Sequence, residues 1–179
     1  MKYLGEHFDI HTGGIDHIPI HHTNEIAQSE GATGHKWVNY WLHNEFLVIA
    51  KGKNGEEGGK MSKSAGNFLT LQSLIDKGYD ALDYRFFLLG TQYRKQIYFS
   101  FDAMDGAKKA RAALVQRIAK IENAAEGKAA DDTSLSGEAL KYLADFKAAL
   151  ENDLSTPQAL SQLQTAVKDA SLSAPVALA

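Results

Sequence analysis

The chain has 179 residues, 44% of them apolar, with a mean hydropathy of −0.30 and a formal net charge of −3 from 19 basic and 22 acidic side chains. That length supplies one ordinary core and excludes a disordered tail, while the near balance of charge excludes a global electrostatic footprint for nucleic acid, so any RNA contact is local. Cysteine is absent, which excludes disulfides, thiolate catalysis and a zinc site built from the chain's own sulfur; no apolar run reaches a membrane span and residues 1–15 lack a secretory leader pattern, so a cytoplasmic protein with no membrane partner is expected.

His7-Phe8-Asp9-Ile10-His11 alternates, predicting a strand with Phe8 and Ile10 on the core face and His7, Asp9 and His11 opposite. Thr12-Gly13-Gly14 breaks it, Pro19 suits a first helical position, and residues 20–29 predict a helix closed by Gly31. Strand, glycine turn and helix in this order form a nucleotide-binding α/β unit. Trp37, Tyr40 and Trp41 fall at spacings that predict a second helix over residues 35–44, and the apolar run Phe46 to Ala50 predicts a buried strand.

After residue 68 the character turns helical. Thr70 and Asp80 are candidate caps for segments carrying Leu71, Leu74 and Ile75, then Leu82, Phe86, Phe87 and Leu89. A long helix is predicted over residues 102–122, with Met104, Ala107, Ala110, Leu114, Ile118 and Ile121 inward and Lys108, Lys109 and Lys120 on a solvated face. Residues 123–137, rich in Ala, Gly, Asp and Ser, predict a linker. Leu140, Leu143, Phe146 and Leu150 mark a further helix, Thr156-Pro157 opens another towards Ala170, and residues 171–175 have no pattern.

Two clusters carry chemistry. Lys60-Met61-Ser62-Lys63-Ser64 follows a stretch containing Gly52, Gly55, Gly58 and Gly59. Glycines let the backbone move, and a lysine ammonium neutralises phosphate oxygens that gain charge in a transition state; a solvated lysine-bearing hairpin tip has the same composition. Upstream, His7, His11, His17, His21 and His22 lie within sixteen residues. On a helix His21 and Glu25, four apart, point the same way and make half of a zinc site, although an isolated pair at that spacing also serves as a surface hydrogen bond.

Phe8 to Asp16, then Pro19-Ile20-His21-His22-Thr23-Asn24-Glu25-Ile26-Ala27-Gln28-Ser29, then Tyr40-Trp41-Leu42-His43 and Lys60 to Ser64, together resemble cysteinyl-tRNA synthetase, a class I aminoacyl-tRNA synthetase, over roughly residues 3–170. The resemblance implies an α/β fold: the C-terminal part of a Rossmann-like catalytic domain over residues 1–68, a helical stem-contact region over 69–122, the linker 123–137, and the start of a tRNA-binding helical bundle over 138–179. It makes His21 and Glu25 zinc ligands, places Gly13, Gly14 and Asp16 beside the adenosine of ATP with Asp16 on the ribose hydroxyls, puts His11 in the cysteine pocket, and sets Lys60 and Lys63 as the catalytic pair on the triphosphate. Cysteine, ATP with Mg2+, and tRNA(Cys) are the implied partners of a protein that is a monomer at full length. Zinc separates cysteine from serine because it prefers a thiolate to an alcohol.

The family completes its zinc site with two cysteines and carries an HIGH-type phosphate motif near its start, and this sequence contains neither. The expectation is therefore a truncated or partial chain, inactive alone, that offers an incomplete zinc site and binds zinc weakly through His21 and Glu25. Two rival readings are a ligase joining cysteine to an amino-sugar inositol in mycothiol synthesis, and a non-catalytic remnant that binds RNA or a partner through its helices.

Overall fold

A computed structural model describes residues 2–50, 59–60, 69–126, 135 and 137–178. The chain falls into two compact units, Met1–Lys60 with Tyr93–Tyr98, and Met61–Gln92 with Phe99–Ala179.

In the first unit β1 (Phe8–Gly14) runs parallel to β2 (Val38–Asn44), with Phe8 opposite Val38, Ile10 opposite Tyr40 and His11 opposite Trp41. Parallel neighbours need a crossover. Here it is a 3-10 turn over Ile15–His17, a wider π-type turn over Ile18–His22, and α1 (Thr23–Thr33). The helix predicted over residues 20–29 thus begins three residues later, at Thr23, after a wide turn that Pro19 opens, and passes through Gly31. It stops at Gly34, whose φ of +76° is the left-handed C-terminal conformation that glycine adopts without a Cβ clash.

The predicted helix over residues 35–44 is instead strand β2. Three- and four-residue spacing of Trp37, Tyr40 and Trp41 imitates a helical face, but Val38 and the aromatics favour a pleated surface, and pairing with β1 decides the outcome. The facing of β1 also differs from expectation. Ile10 is 60% exposed and its register partner Tyr40 70% exposed, whereas His11 lies against Trp37 and Trp41 with ring centroids 5.3 and 4.8 Å apart. An aromatic cluster has claimed the face that alternation assigned to polar groups.

A second, small sheet has the order β4-β3-β5, with β3 (Leu47–Ile49) antiparallel to β4 (Gly59–Lys60) and β5 (Ile97–Phe99) on its other side. The expected apolar strand is present, with Val48 buried. Glu45 N–H donates to Tyr93 O at 2.9 Å and Ile97 N–H to Phe46 O at 3.1 Å, which stitches the later segment into the first unit.

The second unit is helical: α2 (Leu71–Ile75), α3 (Ala81–Leu89), α4 (Phe101–Ala124), α5 (Glu138–Glu151), α6 (Thr156–Ala166) and α7 (Ala174–Leu178). Both candidate caps are real. Thr70 Oγ1 accepts from Ser73 N–H while Ser73 Oγ accepts from Thr70 N–H. Asp80 Oδ1 accepts from Leu82 N–H, and Asp83 Oδ2 accepts from Asp80 N–H at 2.9 Å. Such reciprocal bonds satisfy the free N–H groups of a helix start.

Met104 is fully buried on α4 as the periodicity predicts, and Phe99 and Leu74 are buried too. Lys108 does more than solvate a face: its ammonium donates to Gly78 O at 2.7 Å and sits 5.4 Å from the Tyr79 ring centroid. On α5 the buried residues are Ala139 and Ala149, while Leu140 and Leu143 are 47% and 56% exposed. Small side chains let α5 approach α6, where Ala159 is also buried, so packing follows the alanines and not the bulkier leucines. The unpatterned tail contains the short helix α7. Among the described residues no helix is long and apolar enough to cross a membrane.

Candidate functional site

The end of β1, the wide turn before α1 and the last residues of β2 bring four histidines and one carboxylate together. His11 Nε2 lies 3.1 Å from Glu25 Oε2, and His22 Nε2 lies 3.9 Å from the same oxygen. Donor atoms of His11, His22 and Glu25 all fall within 4.8 Å of one another. Behind them, His22 Nδ1 is 2.7 Å from His43 Nε2, and His17 packs against His22 with ring centroids 5.2 Å apart. Trp41 forms one wall, 4.8 Å from the His11 ring and 4.7 Å from the His22 ring.

Glycine is required for this arrangement. A Cβ on Gly13 would stand 2.6 Å from His22 Cε1 and 2.8 Å from both His22 Nε2 and His17 Nδ1; on Gly14 it would stand 2.5 Å from Asp16 Oδ1. Two imidazoles and a carboxylate therefore pack directly on the backbone of the β1 turn, where Gly13 and Gly14 are half-buried and Asp16 is exposed.

Electrostatics keep the inner rings neutral. Burial, then the neighbouring His11 and His43, hold His22 below its ordinary pKa against the opposing pull of Glu25. Burial, then His11, His17 and Arg94, lower His43 likewise. Neutral imidazole is the form that ligates a metal. His11 Nδ1 is 3.1 Å from Thr12 O, and since a carbonyl only accepts, the bond there is donated by Nδ1–H.

Although His11 stands 3.1 Å from Glu25 Oε2, that oxygen is buried without a hydrogen bond of acceptable geometry, as is Trp37 Nε1. A buried acceptor left unpaired costs free energy. An acceptor left facing two imidazole nitrogens fits a divalent cation such as zinc, which takes nitrogen and oxygen donors together.

The residues singled out from sequence thus separate. Glu25 and His11 are in the cluster. His21 is exposed, its ring 5.0 Å from His17, and it lies outside the three-donor group. His22 and His43 are additional. A three-residue step from His22 to Glu25 shares a helical face as readily as the four-residue step from His21, and the wide turn before Thr23 shifts the phase that 3.6 residues per turn assumes. Lys63, with Met61, Ser62 and Ser64, lies outside the described residues; Lys60 ends β4, described through its backbone alone.

Comparison with known proteins puts this site in a lineage. The family model for the tRNA synthetases class I (C) catalytic domain matches residues 1–109. The chain is 55% identical to a cysteine--tRNA ligase of Treponema denticola, over 94% of this chain and 36% of the relative. It is 46% identical to a cysteine--tRNA ligase of Treponema pallidum, over 96% of this chain and 38% of the relative. It therefore spans about a third of the length of these curated relatives. Among solved structures, a ternary complex of Agrobacterium radiobacter K84 agnB2 LeuRS with tRNA and LeuAMS resembles it with a TM-score of 0.67 at 14% identity, over 95% of this chain and 24% of that one, a likeness of fold alone. With more than half of its residues matched by that catalytic-domain model and the cysteine--tRNA ligases as its relatives, the chain belongs to the class I tRNA synthetase family, in its cysteinyl branch.

Proposed function

We propose that this chain forms part of a cysteine--tRNA ligase, which joins the cysteine carboxylate to the α-phosphate of ATP and then transfers the aminoacyl group to tRNA(Cys). The observation that carries the reading is the catalytic-domain match over residues 1–109, a span that contains both the histidine–glutamate cluster and Lys60 to Ser64. In this proposal Gly13 and Gly14 let the adenosine approach the backbone, Asp16 accepts from the ribose hydroxyls, and His11 lines the amino-acid pocket. Lys60 and Lys63, with Mg2+ on the triphosphate, bind the charge that moves towards pyrophosphate more strongly in the transition state than in the ground state. Zinc, when bound, supplies the preference for a thiolate over a hydroxyl. His21 is the family-implied partner of Glu25 at the metal. The reaction is proposed for a ligase of the relatives' full length, of which this chain spans about a third.

The test uses a chain completed with a family-type amino-terminal half. Cysteine-dependent exchange of pyrophosphate into ATP is expected, with serine a poor substitute. Lys63→Ala should slow adenylate formation by roughly 10²–10³-fold, as loss of one transition-state donor does, with little change in ATP affinity. A folded, completed chain with no cysteine-dependent exchange would overturn the function. An unchanged rate with a large rise in the ATP Kd would reduce Lys63 to a ground-state anchor.

A further inference from the structure

We infer that Arg94 is an anion-binding residue: its guanidinium takes a phosphate oxyanion at the carboxyl end of the β1–β2 pair, on the side of Gly14 and Asp16. That assignment rests on the proposed ligase, in which ATP and the 3′ end of tRNA both bring phosphate to this end of the strands.

Main-chain bonds put Arg94 there. β1 and β2 end together, with Gly13 opposite His43 and Gly14 opposite Asn44, and open α/β sheets bind ligands outside the carboxyl ends of their parallel strands. The chain continues from Asn44 into Glu45 and Phe46, and these two residues receive the later segment. Glu45 N–H donates to Tyr93 O at 2.9 Å, and Ile97 N–H donates to Phe46 O at 3.1 Å. The Phe46 ring reaches the glycine turn, since a Cβ on Gly14 would stand 3.9 Å from Phe46 Cε1. Residue 94 directly follows the carbonyl that Glu45 holds, so its backbone is tied to the strand end. Its side chain is exposed, with Cζ 5.1 Å from the centroid of the Tyr93 ring, a cation–π contact that restricts the guanidinium before a ligand arrives. Electrostatics agree: after burial, His11 and His17, the charge of Arg94 also lowers His43, the residue opposite Gly13.

The turn lacks such a charge of its own. Gly13 and Gly14 bring none, Asp16 brings a negative one, and the inner imidazoles His22 and His43 are held neutral. Guanidinium suits the task because it stays charged and its planar fork offers two parallel N–H donors to phosphate oxygens. Set on the sheet end, Arg94 contributes affinity to ground and transition states alike, and not rate.

The test uses the completed chain, with cysteine-dependent pyrophosphate exchange measured over ATP concentration and transfer measured over tRNA concentration. Arg94→Gln should raise KM roughly 10–100-fold, the range for hydrogen bonds to a charged group, with kcat little changed. A rise in the exchange assay identifies a phosphate of ATP; a rise confined to transfer identifies a phosphate of the tRNA 3′ end. Arg94→Lys keeps the charge without the fork and should recover only part of the loss. Lys95→Gln removes an equal charge one position on and should change neither KM. Damage to packing would instead lower kcat by reducing the active fraction, and amide exchange at Glu45 and Ile97 checks that the segment stays in place. Unchanged KM in both assays, or a Lys95→Gln effect as large as that of Arg94→Gln, would overturn the site. A completed parent with no exchange would overturn the ligase reading alone. Sodium tripolyphosphate added to the unmodified 179-residue chain needs neither a variant nor a reaction: a saturable shift of the Arg94 guanidinium nitrogen resonance is expected, and its absence overturns the anion site.

Discussion

Asp83 is 2% exposed and does two jobs at once: Oδ2 accepts from Asp80 N–H at the start of α3, and Oδ1 accepts from Arg111 Nε of α4 at 2.8 Å. Burial pushes its pKa up. The Arg111 hydrogen bond, the Asp80 N–H and the charges of Arg111 and Lys108 together outweigh burial and hold the carboxyl below its ordinary value. Asp83→Asn keeps the shape and an oxygen for Asp80 N–H but replaces the charged acceptor opposite Arg111. A hydrogen bond to a charged group contributes about 1.5–3 kcal/mol, so the variant should lose about 2 kcal/mol at pH 7. At 150–250 residues that lowers Tm by roughly 4–8 °C. Asp83→Ala also leaves the Asp80 N–H without its acceptor and should lose about 1 kcal/mol more. The pH dependence has a definite sign. A carboxylate whose folded pKa is depressed contributes stability that is fully present above its unfolded pKa of about 3.9 and disappears as pH falls through the folded value. Urea denaturation followed by far-ultraviolet circular dichroism should therefore show the gap between parent and Asp83→Asn at pH 7 and its closure on acidification below about pH 4. Adding Arg111→Met to Asp83→Asn should cost little further, since the two residues share one interaction. A gap under about 0.5 kcal/mol, the scatter of neutral surface substitutions, or one that does not move with pH, would refute the idea that this buried pair ties α3 to α4.

Two other perturbations follow from packing and capping. Gly13→Ala forces a methyl into His22 and His17, so it should destabilise the first unit by about 1–3 kcal/mol, measured by thermal melting. Thr70→Ala removes the acceptor for Ser73 N–H and should cost about 1 kcal/mol, visible as faster amide exchange at Ser73 with no effect on the histidine cluster.

The helical half was legible because its signals are local. Thr70 and Asp80 cap through residues three positions away, and Met104 lies inward on a helix long enough for its period to emerge. The strand half was harder to read because its decisive contacts are distant in sequence. Trp41 is at helical spacing from Trp37, yet its environment is set by His11, thirty residues earlier, across the sheet. The histidine cluster and Glu25 were visible as chemistry. Which imidazole meets the carboxylate was not, because the turn over Ile18–His22 departs from 3.6-residue geometry, and His43 joins the group only through the parallel pairing of β1 and β2.

The stitching of Tyr93–Tyr98 into the first unit has a consequence for birth on the ribosome. Glu45 N–H and Phe46 C=O find their partners in Tyr93 and Ile97, residues made roughly fifty positions later. At about 5–20 residues per second, the edge of β3 waits on the order of 2–10 s while α2 and α3 emerge and acquire their own caps. The first unit is thus translated as far as residue 60 well before Tyr93–Tyr98 arrive to close it. A nascent chain paused anywhere between residues 50 and 92 presents a β3 edge whose designated neighbour does not yet exist, and that interval is when a chaperone has most to protect.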